Sequence, residues 1–251
     1  MPVIVFASDL HLGVPTYEKS LQREKIFIEW LNTYGKQADE IYLVGDIFDF
    51  WFEYAEVIPK NFTRLLGKLA EICDSGKPVH MFTGNHDLWM FGYLEKEIGV
   101  KVHYNPIIKE WDGKKFFIGH GDGLGPGDKG YKFIKKVFTN PFFQKCFKWL
   151  HPDLGVRMAR YFSHSSRQAT GDNDKKFLGE ENEWLMQYIK RKQAIEHCDF
   201  YIFGHRHLPI DQTFNNTRYI NLGDWISDFT FALWDGEKLS LEKFNAENNP
   251  H

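Results

Sequence analysis

Apolar positions follow two rhythms along the chain. Up to about residue 100, short unbroken apolar runs alternate with stretches in which apolar residues recur every three or four positions. Val3–Ser8, Ile41–Val44 and Val79–Thr83 have the length of strands buried on both faces. Leu21–Trp30 (Leu21, Ile26, Phe27, Trp30) and Phe62–Ile72 carry helical spacing. This βαβαβ order predicts parallel strands joined by crossover helices. Further on, Ile107–Trp111 and Phe116–Ile118 flank Asp112-Gly113 and predict a hairpin. Phe200–Phe203 predicts another strand. Ile210–Phe214, Tyr219–Leu222, Thr230–Trp234 and Leu239–Phe244 read as a closing antiparallel run with turns at Asn215-Asn216 and Asp235-Gly236.

Between Gly125 and Glu196 the rhythm turns helical again. Phe133, Ile134, Val137 and Phe138, then Phe142, Phe143, Cys146, Phe147 and Leu150, fit helix faces. Asn140-Pro141 suits a helix start, and His151-Pro152 a break. The pattern therefore predicts a mixed α/β body over 1–124 and 197–245, interrupted by a helical insertion over 125–196.

Composition adds bounds. With 251 residues, 43% hydrophobic and 26% charged, the chain reads as one large globular domain with an insertion. It contains no apolar run of about 18 residues that could span a membrane. The apolar start, Met1–Phe6, lacks the basic flank of a secretory leader. Cys73, Cys146 and Cys198 form neither a disulfide framework nor a zinc pattern. They read as small buried hydrophobes in a reducing cytosol. The net charge of −3 hides a segregation: Gly125–Arg167 holds nine basic and two acidic residues, so a segment of +7 sits on an acidic body.

Candidate chemistry gathers at the ends of the predicted strands. Asp9-Leu-His11, Gly45-Asp46, Gly84-Asn-His-Asp87, Gly119-His-Gly-Asp122 and Gly204-His-Arg-His207 each place carboxylate, amide or imidazole groups just past an apolar run. Strand ends converge on one edge of a sheet, where open α/β folds build their sites. A single such motif is more often a cap or a turn; seven donor groups in that position together are not. Mixed nitrogen and oxygen donors suit two borderline ions such as Mn, Fe or Zn rather than an all-oxygen calcium site.

This order of motifs resembles the calcineurin-like metallophosphoesterase superfamily, over the whole chain. The resemblance implies a four-layer αββα sandwich and two divalent ions. Asp9, His11 and His207 would hold the first, Asn85, His120 and His205 the second, and Asp46 would bridge them. His86 would face the leaving group, with Asp87 orienting it. Within the superfamily, Asp9-Leu-His-Leu12, Gly45-Asp-Ile-Phe-Asp-Phe-Trp51, His120-Gly-Asp122, Gly204-His-Arg-His207 and the place of the insertion resemble the UDP-2,3-diacylglucosamine hydrolases of lipid A synthesis.

Members of that group are peripheral inner-membrane enzymes, usually Mn-dependent, with a helical lid. By this resemblance a metal-bridging hydroxide would release UMP and 2,3-diacylglucosamine 1-phosphate at the cytoplasmic face of the inner membrane. Asn85, Asp128, Ser166, Arg167, Lys175 or Lys176, and His205 fall where the group contacts its nucleotide-lipid substrate. Three departures mark this chain: its best-known relatives carry Arg in place of His86, Gly-Leu-Gly-Pro-Gly-Asp128 follows His120-Gly-Asp122 in place of the usual polar run, and Thr170 stands where Asn is expected.

Two alternatives stay open on sequence alone: another di-metal phosphodiesterase or nuclease, and a metal-free scaffold on the same fold. The basic, aromatic insertion could serve nucleic acid, although none is expected on the favoured reading, or it could serve an acyl chain and an anionic membrane. The same helices could equally be an amphipathic pair packed on the body. Oligomeric state is not readable.

Overall fold

The structure is a computed structural model describing residues 1–126, 129–170 and 177–246. Two sheets lie face to face. The first has the order β11-β10-β1-β2-β3-β4, from β1 (Ile4–Ala7), β2 (Glu40–Val44), β3 (Val79–Phe82), β4 (Lys101–His103), β10 (Thr230–Trp234) and β11 (Leu239–Lys243). β1 to β4 run parallel, as the crossover pattern predicts, and β10 pairs antiparallel with β1. The second has the order β5-β6-β7-β9-β8, from β5 (Ile107–Trp111), β6 (Lys114–Ile118), β7 (Phe200–Phe203), β8 (Pro209–Phe214) and β9 (Thr217–Leu222). The expected antiparallel run holds for β8–β9 and β10–β11, but β9 also lies parallel to β7.

Alternation along each strand divides the core into layers. Ile4, Phe6, Tyr42, Val44 and Phe82 face Trp111, Phe116, Ile118, Ile202 and Ile220 between the sheets. On the outer face of the first sheet, Val5, Ala7, Ile41, Leu43 and Met81 pack on Phe27 and Trp30 of α1 (Tyr17–Trp30) and on Leu65 and Leu69 of α2 (Thr63–Asp74). On the outer face of the second, Phe117, Tyr201, Phe203 and Tyr219 pack on Leu185, Met186 and Ile189 of α6 (Trp184–Gln193). Burial on both faces is why these strands read as unbroken apolar runs. The result is the four-layer αββα sandwich.

The fourth layer corrects the expected insertion. Leu185, Met186 and Ile189 are fully buried, so by packing α6 belongs to the body even though it lies inside 125–196. The helices that stand off the sheets are α3 (Lys129–Phe138), α4 (Pro141–Lys148) and α5 (Pro152–Thr170). Asn140 caps α4, its side chain accepting from Phe142 N at 2.9 Å, with Pro141 at the first helical position. No residue of α4 is buried, so Cys146 is exposed rather than a core residue, while Cys198 is buried.

Candidate metal centre

All five ligand-bearing strand ends meet at one edge of the sandwich. Asp9, His11, Asp46, His205 and His207 all have positive φ, between 44° and 70°. That conformation costs an ordinary residue free energy, and it clusters where a fold needs side chains aimed inward. The turns are also tight. A Cβ on Gly45 would meet His120 Nδ1 at 2.5 Å, and one on Gly84 would meet the Asp46 backbone nitrogen at 2.6 Å, so only glycine lets these loops approach so closely.

Three donor clusters result: Asp9 with His11 and His207; His11 with Asp46 and His86; and Asp46 with His120 and His205. Within each, the ligand atoms lie within 4.8 Å of one another. Asn85 joins the third through Oδ1, 3.2 Å from His120 Nε2. The structure thus brings together all seven residues expected to hold metal. His205 and His207 divide between the outer clusters. Arg206 between them turns away into a buried ion pair with Glu183, 2.8 Å from Nε to Oε1.

The backbone holds one oxygen of each central carboxylate and leaves the other bare. Asp9 Oδ2 accepts from His205 N at 3.0 Å, and Asp46 Oδ1 from His86 N at 2.8 Å. Asp9 Oδ1 and Asp46 Oδ2 are buried with no hydrogen-bond partner among the described residues. Around them stand imidazoles: His207 Nε2 at 3.4 Å from Asp9 Oδ1, and His120 Nε2 at 3.3 Å from Asp46 Oδ2. His11 Nε2 and His207 Nε2 approach each other to 3.2 Å. Bare buried carboxylate oxygens and converging imidazole nitrogens are costly unless a cation lies among them, so the donor set fits divalent metal.

The electrostatics agree. Burial works against ionisation of Asp46, but His120 and His86 beside it hold its carboxyl well below the usual carboxylate range. Burial also opposes a charged His120, which Asp46 nonetheless pushes up to about 10. Asp49 and Asp9 do the same for His11, again to about 10. Burial and the neighbouring His120 bring His205 down to about 4. Strong negative potential at His11 and His120 is what a bound cation would neutralise.

The imidazoles are aimed from behind. His120 Nδ1 lies 2.8 Å from the Val44 carbonyl, and His207 Nδ1 lies 3.5 Å from Asp224 Oδ2. His11 Nδ1 and His86 Nδ1 each lie 3.5 Å from Asp49 Oδ1. Partners of this kind fix the ring tautomer so that the other nitrogen faces the donor clusters.

Asp49 corrects the role expected of Asp87. The Asp87 carboxylate accepts from Gly84 N at 2.7 Å and Ile47 N at 2.9 Å, which ties together the loops that carry Asn85 and Asp46. It does not orient His86. Burial and then Asp46 raise its carboxyl to about 7.

One further residue, Arg23, escaped the sequence reading, and Asp122 stood there in a motif without a role. Buried Arg23 on α1 donates to the carbonyls of Leu10 at 2.7 Å, His11 at 2.9 Å and Val14 at 3.0 Å, clamping the loop that carries His11. Asp122 accepts from Tyr131 and Lys135, each at 2.5 Å, which fastens α3 beside His120. Of the expected substrate contacts, Asp128, Lys175 and Lys176 lie outside the described residues. Ser166 and Arg167 fall in α5, with their side chains outside the description.

Residues 2–209 match the model of the calcineurin-like phosphoesterase family. The chain belongs to that family. It is therefore a metal-dependent hydrolase of mixed α/β fold. A UDP-2,3-diacylglucosamine hydrolase of Porphyromonas gingivalis (strain ATCC BAA-308 / W83) is 40% identical over 95% of this chain and 96% of its own length. One of Yersinia pestis is 25% identical over 96% and 98%. A solved archaeal phosphodiesterase aligns over 96% of this chain and 98% of its own, with 15% identity and a TM-score of 0.47. No described helix is long and apolar enough to cross a membrane.

Proposed function

We propose that this phosphoesterase hydrolyses the pyrophosphate bond of UDP-2,3-diacylglucosamine, giving UMP and 2,3-diacylglucosamine 1-phosphate. Two divalent ions, Mn2+ in the first place, would be held by Asp9, His11 and His207 and by Asn85, His120 and His205, with Asp46 between them. When bound, they supply Lewis-acid polarisation of a phosphate oxygen and activation of water. His86, beside Asp46 and backed by Asp49, offers a proton or a hydrogen bond to the departing phosphate.

The observation that carries an acylated substrate is a cavity of about 670 Å³ that opens beside Asp49. Leu12, Phe50, Tyr54, Ile58 and Phe62 of the body and Val156 of α5 line it together with Asp49, Lys60, Asp153 and Arg157, so an apolar chain could lie beside Asp49, itself 3.5 Å from His11. The relatives' names point to the same substrate. On this reading α3–α5 form a lid. Asp128, Ser166, Arg167, Lys175 and Lys176 contribute from it to sugar and phosphate binding, with Asn85 and His205 from the centre.

The outer face of the lid supports a peripheral place on an anionic bilayer at the cytoplasmic side of the inner membrane. Phe133, Phe142, Trp149 and Tyr161 stand exposed among the lysines of a segment carrying +7. Each Lys or Arg near such a surface adds about 1 kcal/mol.

The test is UMP release by the metal-loaded protein from UDP-2,3-diacylglucosamine in detergent, beside UDP-N-acetylglucosamine. The expected result is release from the acylated substrate alone. No release from either, with a chromogenic phosphodiester still cleaved, would discard the substrate and keep the metal centre.

A further inference from the structure

We propose that Ser163 of α5 is a positioning residue that ties the seating of the insertion to the orientation of Asp49 between His11 and His86. The inference rests on the reading of this edge as a metal-dependent phosphoesterase centre, and it needs no particular substrate.

The insertion meets the body near the site through apolar rings and through polar ties away from Asp49, such as Trp89 Nε1 donating to the Phe138 carbonyl at 2.7 Å. Phe147 of α4 packs on Phe52 and Trp89, with ring centroids at 4.8 and 4.7 Å. Ser163 is different. It is buried, and its hydroxyl lies 2.9 Å from Asp49 Oδ2 and 3.1 Å from Oδ1. The same oxygen is 3.4 Å from His86 Nδ1, which also lies 3.1 Å from the Asp49 carbonyl. A hydroxyl has one proton: given to the Asp49 carboxylate, it leaves a lone pair towards the His86 ring. Asp49 Oδ1 stands 3.5 Å from both His11 Nδ1 and His86 Nδ1. The hydroxyl thus helps hold the carboxylate midway between a metal-facing imidazole and the imidazole that would meet the leaving group. Without it, the buried carboxylate is freer to turn towards one ring at the expense of the other.

Seating of α5 is itself finely set. A Cβ at Gly155 would collide with the Tyr54 hydroxyl and meet the Phe147 ring at 3.0 Å, so a side chain there must displace α5 or the ends of these two rings. Gly155→Ala should lift α5 and draw Ser163 from Asp49 without touching either residue.

The experiment is steady-state hydrolysis of a chromogenic phosphodiester, which has no acyl chain to contact the insertion, with Mn2+ binding measured by calorimetry. Loss of a group that orients a metal-facing histidine lowers activity or affinity by about 10- to 100-fold. Ser163→Ala is expected to lower kcat at the smaller end of that range with KM unchanged, and to weaken Mn2+ binding. Ser163→Thr, which keeps the hydroxyl, should restore most of both. Gly155→Ala should lower kcat in the same way, and Gly155→Ala with Ser163→Ala should be no worse than the stronger single change. Wild-type kcat and Mn2+ affinity in Ser163→Ala, or losses that multiply in the double variant, would overturn the proposal. Asp46→Ala in parallel separates the two readings: inactive Asp46→Ala beside unaffected Ser163→Ala removes only this inference, whereas active Asp46→Ala removes the metal centre itself.

Discussion

Trp30, Trp51, Trp225 and Trp234 of the body are sealed from solvent, whereas Trp149 on the insertion is 91% exposed, with Phe133, Phe142 and Tyr161 also standing out from the surface. The two regions spend the same kind of residue differently. In the body, aromatic rings fill the layers: Trp30 lies 5.4 Å from Trp225 and 5.5 Å from Phe231. Each Å² of apolar surface they hide is worth about 25 cal/mol to the fold. Rings left in water contribute nothing of that kind, and on the proposed reading these exposed rings on a basic segment meet a partner surface. The difference teaches that stability rests mainly on the body, and that the exposed aromatic residues of the insertion, unlike Ser163 against Asp49, can change with little cost to stability or to catalytic geometry.

The comparison breaks most directly at the metal centre. Asp46→Ala removes the carboxylate shared between two donor clusters, and turnover of every phosphoester should fall to background in protein that remains folded, read by hydrolysis rates alongside metal analysis. Next in size is Glu183→Ala. It removes the carboxylate half of a buried ion pair with Arg206, and unfolding is expected at lower urea than in the wild type.

A smaller effect belongs to His80, between the sheets. Burial and then His103, 2.8 Å away, bring its pKa down to about 4. An unfolded histidine titrates near 6.5, so between those values the unfolded chain binds more protons and stability falls as pH drops from 6.5 towards 4. His80→Phe should flatten that part of the stability curve. The smallest effect is expected on the insertion. Trp149→Ser should change stability by less than about 0.5 kcal/mol, while measurably weakening sedimentation with anionic vesicles.

Much of this arrangement was legible in the sequence, because its determinants are local. Apolar runs of strand length gave the buried strands, and the glycine-flanked motifs placed all seven metal-binding candidates, which do converge. Asn140-Pro141 likewise marked the start of α4. What escaped was set by packing. β4 is three half-exposed or exposed residues with no apolar run. Leu185, Met186 and Ile189 of α6 have the same helical spacing as the exposed faces of α3 and α4, and only the second sheet distinguishes them. Asp49 and Asp87 flank the site in sequence almost alike, yet one backs the imidazoles and the other holds backbone. Arg23 carries no motif; its role exists only because α1 passes behind the Leu10–Val14 loop.

The most direct test of the division between body and insertion is the ratio of kcat/KM for UDP-2,3-diacylglucosamine to that for a soluble chromogenic phosphodiester, in the wild type and in Phe142→Ala with Phe143→Ala. The account predicts a ratio that falls through a raised KM for the lipid, with the soluble diester unchanged. An equal loss on both substrates would contradict it and make these helices part of the catalytic scaffold.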